Sequence, residues 1–420
     1  MSGIQQMLLF LGGSQSYLIG LLSGVGNQRA YNIVSDSSNN IYVMGKNSSN
    51  GIQIAKYNSS GTIQWQQSTS SSDARGVAID SSANLYAVGL NGATAGVEIV
   101  KYNSSGVVQW QVSFNASATG FGISTDSSAN VYIATYVNTG TYNDILLAKY
   151  NASGALQWQR RVTGASSQEY TSLFNCTAVD TSANVYVAGY TNVLGTGVQA
   201  MLLVKYNTSG TLQWQRTLDD GGLLDYYGTA VTTDSTGNAY LVGGSLTGVQ
   251  VVSKYDTSGT LQWQRKLTGS LTPSARDCAV DSSNNIYVIG ESYSATQQMQ
   301  IVKYNSSGTI QWQRSLDCSG TDYGYGINIT SAGDIIVCGY TNVSGSDDFL
   351  FAKLPADGSK TGTYTVGSYS FTYAATAGTD AASTLTSSTT SFTSATPTYT
   401  STTSTLTTST TTLTSTVTTI

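Results

Sequence analysis

An all-β ring of seven four-stranded blades is the fold class this sequence predicts, and three observations carry the prediction. The stretch Lys303-Tyr304-Asn305-Ser306-Ser307-Gly308-Thr309-Ile310-Gln311-Trp312 is one of six near copies, the others starting at Lys56, Lys101, Lys149, Lys205 and Lys254. A seventh start, at Lys353, keeps the lysine and Gly358 but has no tryptophan. Successive lysines lie 45, 48, 56, 49, 49 and 50 residues apart, a period that belongs to repeat architectures built from one supersecondary unit. A second motif, Asp36-Ser37-Ser38-Asn39-Asn40-Ile41-Tyr42-Val43-Met44-Gly45, alternates with the first and recurs at Asp80, Asp126, Asp180, Asp234 and Asp281, with a degenerate copy from Thr330 to Gly339. Lastly, the segments before these aspartates are slim, as in Gly76-Val77-Ala78 and Cys278-Ala279-Val280. Innermost strands that converge on an axis leave room only for such residues.

Each unit then resolves into four antiparallel strands. In the second unit these are predicted over Gly76–Ile79, Asn84–Gly89, Val97–Tyr102 and Val107–Ser113. Asp-Ser-Ser-x-Asn closes the first hairpin and Asn-x-Ser-Gly the last, because Asp and Asn side chains bond their own turn and Gly takes the left-handed position. Seven such units are the pattern of a β-propeller. Trp65, Trp110, Trp158, Trp214, Trp263 and Trp312 are predicted to be structural: each falls near the start of an outer strand, where its ring can lie on the neighbouring blade. The repeated lysines are expected to pair with the repeated aspartates, since a lysine beside buried blade faces needs a partner.

The seventh unit lacks its own outer strand, for Gly362 stands where the tryptophan would be. Gly13-Ser14-Gln15-Ser16-Tyr17 repeats the Gly-x-x-x-aromatic spacing, and Leu21 follows Tyr17 by four as Leu218 follows Trp214. The expectation is that residues 13–27 supply the closing strand of the last blade, with Tyr17 in the tryptophan's place. The ring would then span residues 13–360, after an N-terminal segment 1–12. Residues 361–420 turn to Ser and Thr, yet Leu385, Phe392, Tyr399, Leu406, Leu413 and Ile420 fall every seven residues. This is read as a fibrous tail or stalk that joins copies into a homo-oligomer, since Ser and Thr are poor helix formers and Pro397 interrupts a coiled coil.

Composition narrows function. Net charge is −5 with a pI near 4.7, so no basic footprint for nucleic acid is present. Histidine is absent and glutamate occurs only at positions 98, 169 and 291, which removes the commonest general base and the commonest metal ligand. The sequence therefore predicts no enzyme, no metal site and no cofactor. The four cysteines form no CxxC pair, and buried thiols are expected at Cys176, Cys278 and Cys338. Met1–Gly12 has neither a basic n-region nor a membrane-length apolar run, so neither a standard export signal nor membrane insertion is expected.

On the two motifs, the chain resembles the seven-bladed β-propeller repeat family of bacterial surface and phage-associated proteins. The opening Met1-Ser2-Gly3-Ile4-Gln5-Gln6 and the run Leu354-Pro355-Ala356-Asp357-Gly358-Ser359 into a Ser/Thr tail resemble the ends of virion proteins of marine tailed phages. That resemblance implies a virion location, in a tail, fibre or decoration role, with other virion proteins and host-surface glycans as partners. A bacterial cell-surface lectin-like adhesin, extracellular rather than virion-borne, is the alternative. A propeller lyase or glycosidase is disfavoured by the missing histidine and scarce glutamates.

Binding is expected where the repeats differ, in the connections at the face opposite the two regular hairpins, because variable loops on a rigid scaffold carry recognition. The candidates are Tyr142, Asp144, Glu169, Tyr170, Asp225, Tyr226, Tyr227, Asp322, Tyr323 and Tyr325. Aromatic faces there stack on sugar rings, and carboxylates accept hydroxyl hydrogen bonds.

Overall fold

The computed structural model describes residues 16–389 apart from the short stretches 24–25, 48–50, 70–71, 92–95, 115–117, 139, 141, 164–167, 173–174, 193–196, 222, 269–273, 294–295. Beyond 389 it describes the strand segments 393–395, 401–403, 408–409 and 414–419. Seven antiparallel sheets make up the fold, and each has the predicted four strands as its inner part. Blade six, for example, runs from Asp277–Val280 through Ile286–Tyr293 and Gln297–Tyr304 to Ile310–Asp317.

The two motifs build the turns. Asp36 accepts the N–H groups of Ser38 and Asn40 on Oδ1, at 3.0 and 2.9 Å. Its Oδ2 takes the Asn40 amide at 2.7 Å and the Tyr42 hydroxyl at 3.0 Å. Asp80, Asp126, Asp180, Asp234 and Asp281 repeat this arrangement down to the tyrosine bond. The lysines meet the same carboxylates: Lys149 reaches Asp126 at 3.9 Å, Lys205 reaches Asp180 at 3.8 Å and Lys254 reaches Asp234 at 3.5 Å. Blade seven has Thr330 at the head of its turn, and Asp334, four residues on, supplies the charge for Lys353 at 3.3 Å.

Cohesion lies between blades. The Trp263 indole N–H donates to Ser306 O of the next blade at 3.0 Å, and Gly308 lies against the ring with φ +79°. Trp65, Trp110, Trp158, Trp214 and Trp312 reach the next turn in the same way. Apolar clusters span the blade boundaries too: Leu18 and Leu22 of blade seven pack with Ala30, Ile33 and Val43 of blade one.

Ring closure follows the expected path. Leu18–Ser23 is the fourth strand of blade seven and pairs with Asp348–Leu354. Its register corrects the expectation by one residue, since Leu18 stands opposite Lys353 as Trp312 stands opposite Lys303. Leu18, and not Tyr17, therefore occupies the tryptophan's place. The strand is buried on both faces, with Leu18 and Leu22 toward blade one and Ile19 and Leu21 in the cluster of blades six and seven. An unbroken apolar run carries no alternation from which register can be read.

The tail departs most from expectation. Gly362–Val366 and Tyr369–Ala375 form a hairpin, and its second strand pairs with the outer strand of blade six. Thr379–Ala382 then pairs with the outer strand of blade five, and Thr386–Thr389 with that of blade four. Blades three, two and one receive Thr393–Ala395, Ser401–Thr403 and Thr408–Ser409, and Thr414–Thr419 ends on the closing strand of blade seven. The described strands of the segment expected as a separate stalk thus add a fifth strand to every blade. The physical reason is the row of unpaired backbone groups on each outer strand, which a Ser/Thr-rich extended chain can satisfy. Among the described residues, no helix is long and apolar enough to cross a membrane.

Candidate functional site: a tyrosine-lined cup

The face opposite the regular turns is shaped by where the first strands begin. Tyr170 and Tyr190 are direct cross-strand partners, as are Tyr323 and Tyr340. Such pairs bring rings into contact: Tyr170 stacks on Tyr190 at 4.9 Å and 16°, and Tyr323 on Tyr340 at 4.4 Å and 23°. Tyr136 and Tyr227 meet the first pair edge-on at 5.1 and 4.8 Å, which makes one arc across blades three to five. Tyr325 joins the second pair and meets Tyr31 edge-on at 5.3 Å, a second arc across blades seven and one.

Two arginines sit on the second arc. Arg29 lies over Tyr340 at 4.8 Å and bonds Asp347 at 2.6 Å. Arg276 lies over Tyr325 at 5.4 Å and pairs with the buried Glu291 at 3.0 Å. Glu291 also accepts from the Ser274 hydroxyl, so it is held by partners on two sides. A cavity of about 700 Å³ opens between the first arc and blade six, lined by Tyr136, Tyr190 and Tyr227 on one side and by Arg276, Glu291 and Tyr293 on the other. Leu223, Leu224 and Leu246 are exposed beside it.

Polar groups lie deeper toward the axis. Asn32 of blade one donates to Asn175 of blade four. At the corresponding level of blade six, Asp277 accepts the N–H groups of Cys278 at 2.8 Å and Ile327 at 2.9 Å. Burial outweighs these two bonds and pushes its carboxyl up to about 7. In the unfolded chain the same group titrates near 3.9, so the folded protein holds the extra proton between those values. Stability is then expected to fall as pH rises from about 4 to about 7, and Asp277→Asn to flatten that slope in urea titrations at pH 5 and pH 8.

Of the predicted residues, Tyr170 and Tyr227 join the first arc and Tyr323 and Tyr325 the second, and of these Tyr227 lines the cavity. The carboxylates do not. Glu169 is fully buried and accepts from Thr191, Asp144 is buried against Arg161 at 3.3 Å, and Asp322 is fully buried and accepts the Cys318 N–H at 2.7 Å. Tyr226 belongs to the core of blades four and five. Asp225 accepts the Gln199 N–H at 2.8 Å, and Tyr142 lies half-buried outside both arcs. For Glu169, Tyr226 and Asp322 the cause is shared: Glu169-Tyr170, Tyr226-Tyr227 and Asp322-Tyr323 lie on strands, where neighbours face opposite ways. Site residues outside the predicted set include Tyr31 and Arg29 on the first strand of blade one, Arg276 just before that of blade six, and Tyr190 and Glu291, each one residue after a second-strand glycine, as Tyr340 also is. That recurring place after Gly189, Gly290 and Gly339 is the signal in the sequence that finds them.

All four cysteines are buried and free. Among the described residues, no group of three or more Cys, Asp or Glu is placed to hold a metal ion.

Residues 333–360 match the family described as "Domain of unknown function (DUF5122) beta-propeller". No curated protein matches the chain. Among solved structures, the chain is similar to the propeller of Dos1, at 11% identity over 78% of each chain with a TM-score of 0.46. It is also similar to the polysaccharide lyase Uly1, at 10% identity over 78% of this chain and 90% of that one, with a TM-score of 0.49. For the β-propeller domain of the trilobed protease from Pyrococcus furiosus the values are 8%, 78%, 95% and 0.46. With seven antiparallel blades, and the family match falling in the last of them, the chain is a seven-bladed β-propeller.

Proposed function

We propose that this propeller is a non-enzymatic binding module of a virion, in a tail, fibre or decoration role, and that its cup takes a host-surface glycan. The observation that carries the binding reading is the open cavity walled by Tyr136, Tyr190 and Tyr227 of the first arc, with Arg276 and Tyr293 across from them. Tyrosine rings offer flat apolar faces to the C–H faces of a pyranose and keep a hydroxyl at the rim. Arg276, Ser245 and Thr247 add donors for sugar hydroxyls. The carboxylates Asp144, Glu169 and Asp322 are buried in the scaffold, and Glu291 at the cavity wall is held by Arg276 and Ser274, which favours binding over acid–base chemistry. The virion half of the reading rests on the two chain ends.

A glycan array probed with the whole protein tests the cup. Binding is expected for a limited set of glycans, and Tyr190→Ala should weaken it at least tenfold, the order that stacking on one aromatic ring contributes. An array with no signal would return the cup to scaffold. Mass spectrometry of purified particles tests the location, and finding the chain on bacterial surfaces instead would replace the virion by the adhesin.

A further inference from the structure

Strand pairing shows how the tail's seven-residue period relates to the blades. The residue three places after each tryptophan gives a common reference. Ser315 of blade six faces Ala374, Lys266 of blade five faces Ala381 and Thr217 of blade four faces Ser388. Arg161 of blade three faces Ala395, Ser113 of blade two faces Thr402 and Ser68 of blade one faces Ser409. In the closing strand the equivalent residue is Leu21, three after Leu18, and it faces Thr416. Every step from one blade to the next consumes seven tail residues, all the way round the ring.

A second observation names the reader. The residue after every tryptophan is glutamine: Gln66, Gln111, Gln159, Gln215, Gln264 and Gln313. Gln313 donates to Gly378 O at 3.0 Å and accepts the Gly378 N–H at 2.8 Å, so its amide grips the tail backbone as another strand would. Gln264 donates to Leu385 O at 2.6 Å, seven residues further on. Phe371, Gly378 and Leu385 are consecutive members of one heptad position, and Phe371 and Leu385 are both buried. A Cβ at Gly378 would sit 3.0 Å from both Gln313 Oε1 and Leu267, so a glycine fits this place most closely.

We infer that the outer edge of each blade, aided in blades five and six by the glutamine that follows the tryptophan, is a docking site for one seven-residue Ser/Thr strand unit. The occupant is the chain's own tail, whose described strands from Tyr369–Ala375 to Thr414–Thr419 lie on the blades as a belt with its register counted in sevens. Attachment to the propeller gives each unit a high effective concentration at its blade, so short contacts suffice. The site recognises backbone and spacing, which is why the tail tolerates a sequence of little more than Ser and Thr.

Two deletions in the full chain, followed by hydrogen exchange, test this. Removing residues 390–396 takes out one unit and moves each later unit one blade along. Tail amides after the deletion should stay as protected as before, with the outer edge of blade seven left bare. Removing only residues 390–393 puts the later units out of step, and their exchange should speed up at least tenfold. Amides of Ile286–Tyr293 report whether the propeller itself has folded. Gln264→Ala, a milder change, should speed exchange only around residues 379–389, while Gln262→Ala should not. Equal protection after both deletions, or loss of the whole later tail after the seven-residue one, would overturn the belt.

Discussion

Deleting residues 1–23 is expected to destabilise the protein more than any point substitution. Leu18, Ile19, Leu21 and Leu22 are at most 3% exposed; the first and last join blade seven to blade one, and the other two pack in the cluster of blades six and seven. At about 1.5–3 kcal/mol for each buried side chain, their removal forfeits roughly 6–12 kcal/mol. A folded domain has only about 5–15 kcal/mol in total. Thermal unfolding should therefore show a truncated chain that is unfolded or has lost the blade-seven transition, and a peptide of residues 13–27 should restore it. An unchanged melting curve would mean that the ring does not need its N-terminal strand.

The second large effect is expected from Gly308→Val. Gly308 has φ +79°, and a Cβ built there lies 2.8 Å from the Trp263 ring. A β-branched residue in that conformation costs about 1–3 kcal/mol in the backbone alone. The displaced indole also loses its bond to Ser306 O at 3.0 Å and its packing, for which losing a buried tryptophan side chain (about 3–5 kcal/mol) is an upper bound. A drop in Tm of roughly ten degrees is expected at a few degrees per kcal/mol. Gly308→Ala should fall between Val and wild type, and a Val variant as stable as wild type would remove the indole from its proposed role.

What could be read from the sequence tracks what is local. The blades were legible because each turn carries its own chemistry: Asp36 binds the backbone of the residues beside it, and Gly308 supplies a conformation its neighbours need. The closing strand was legible in place but not in register, since Leu18-Ile19-Gly20-Leu21-Leu22 is apolar on both faces. In the cup, tyrosines were found but carboxylates misplaced, because Asp322 and Tyr323 are neighbours in the chain and face opposite sides of a strand. The heptad of the tail was visible as a number alone. Its meaning depends on the spacing between blades, a distance that no stretch of local sequence contains.

The division of labour between repeated and unrepeated residues is tested most directly by affinity measurements with the best glycan from the array. Three proteins suffice: wild type, the double variant Tyr190→Ala/Tyr227→Ala, and Gln311→Ala on the exposed regular face. The account predicts that the double variant loses binding by tenfold or more while still unfolding cooperatively, and that Gln311→Ala binds as wild type does. Undiminished binding by the double variant, or lost binding by Gln311→Ala, would contradict it and move recognition from the cup to the repeated face.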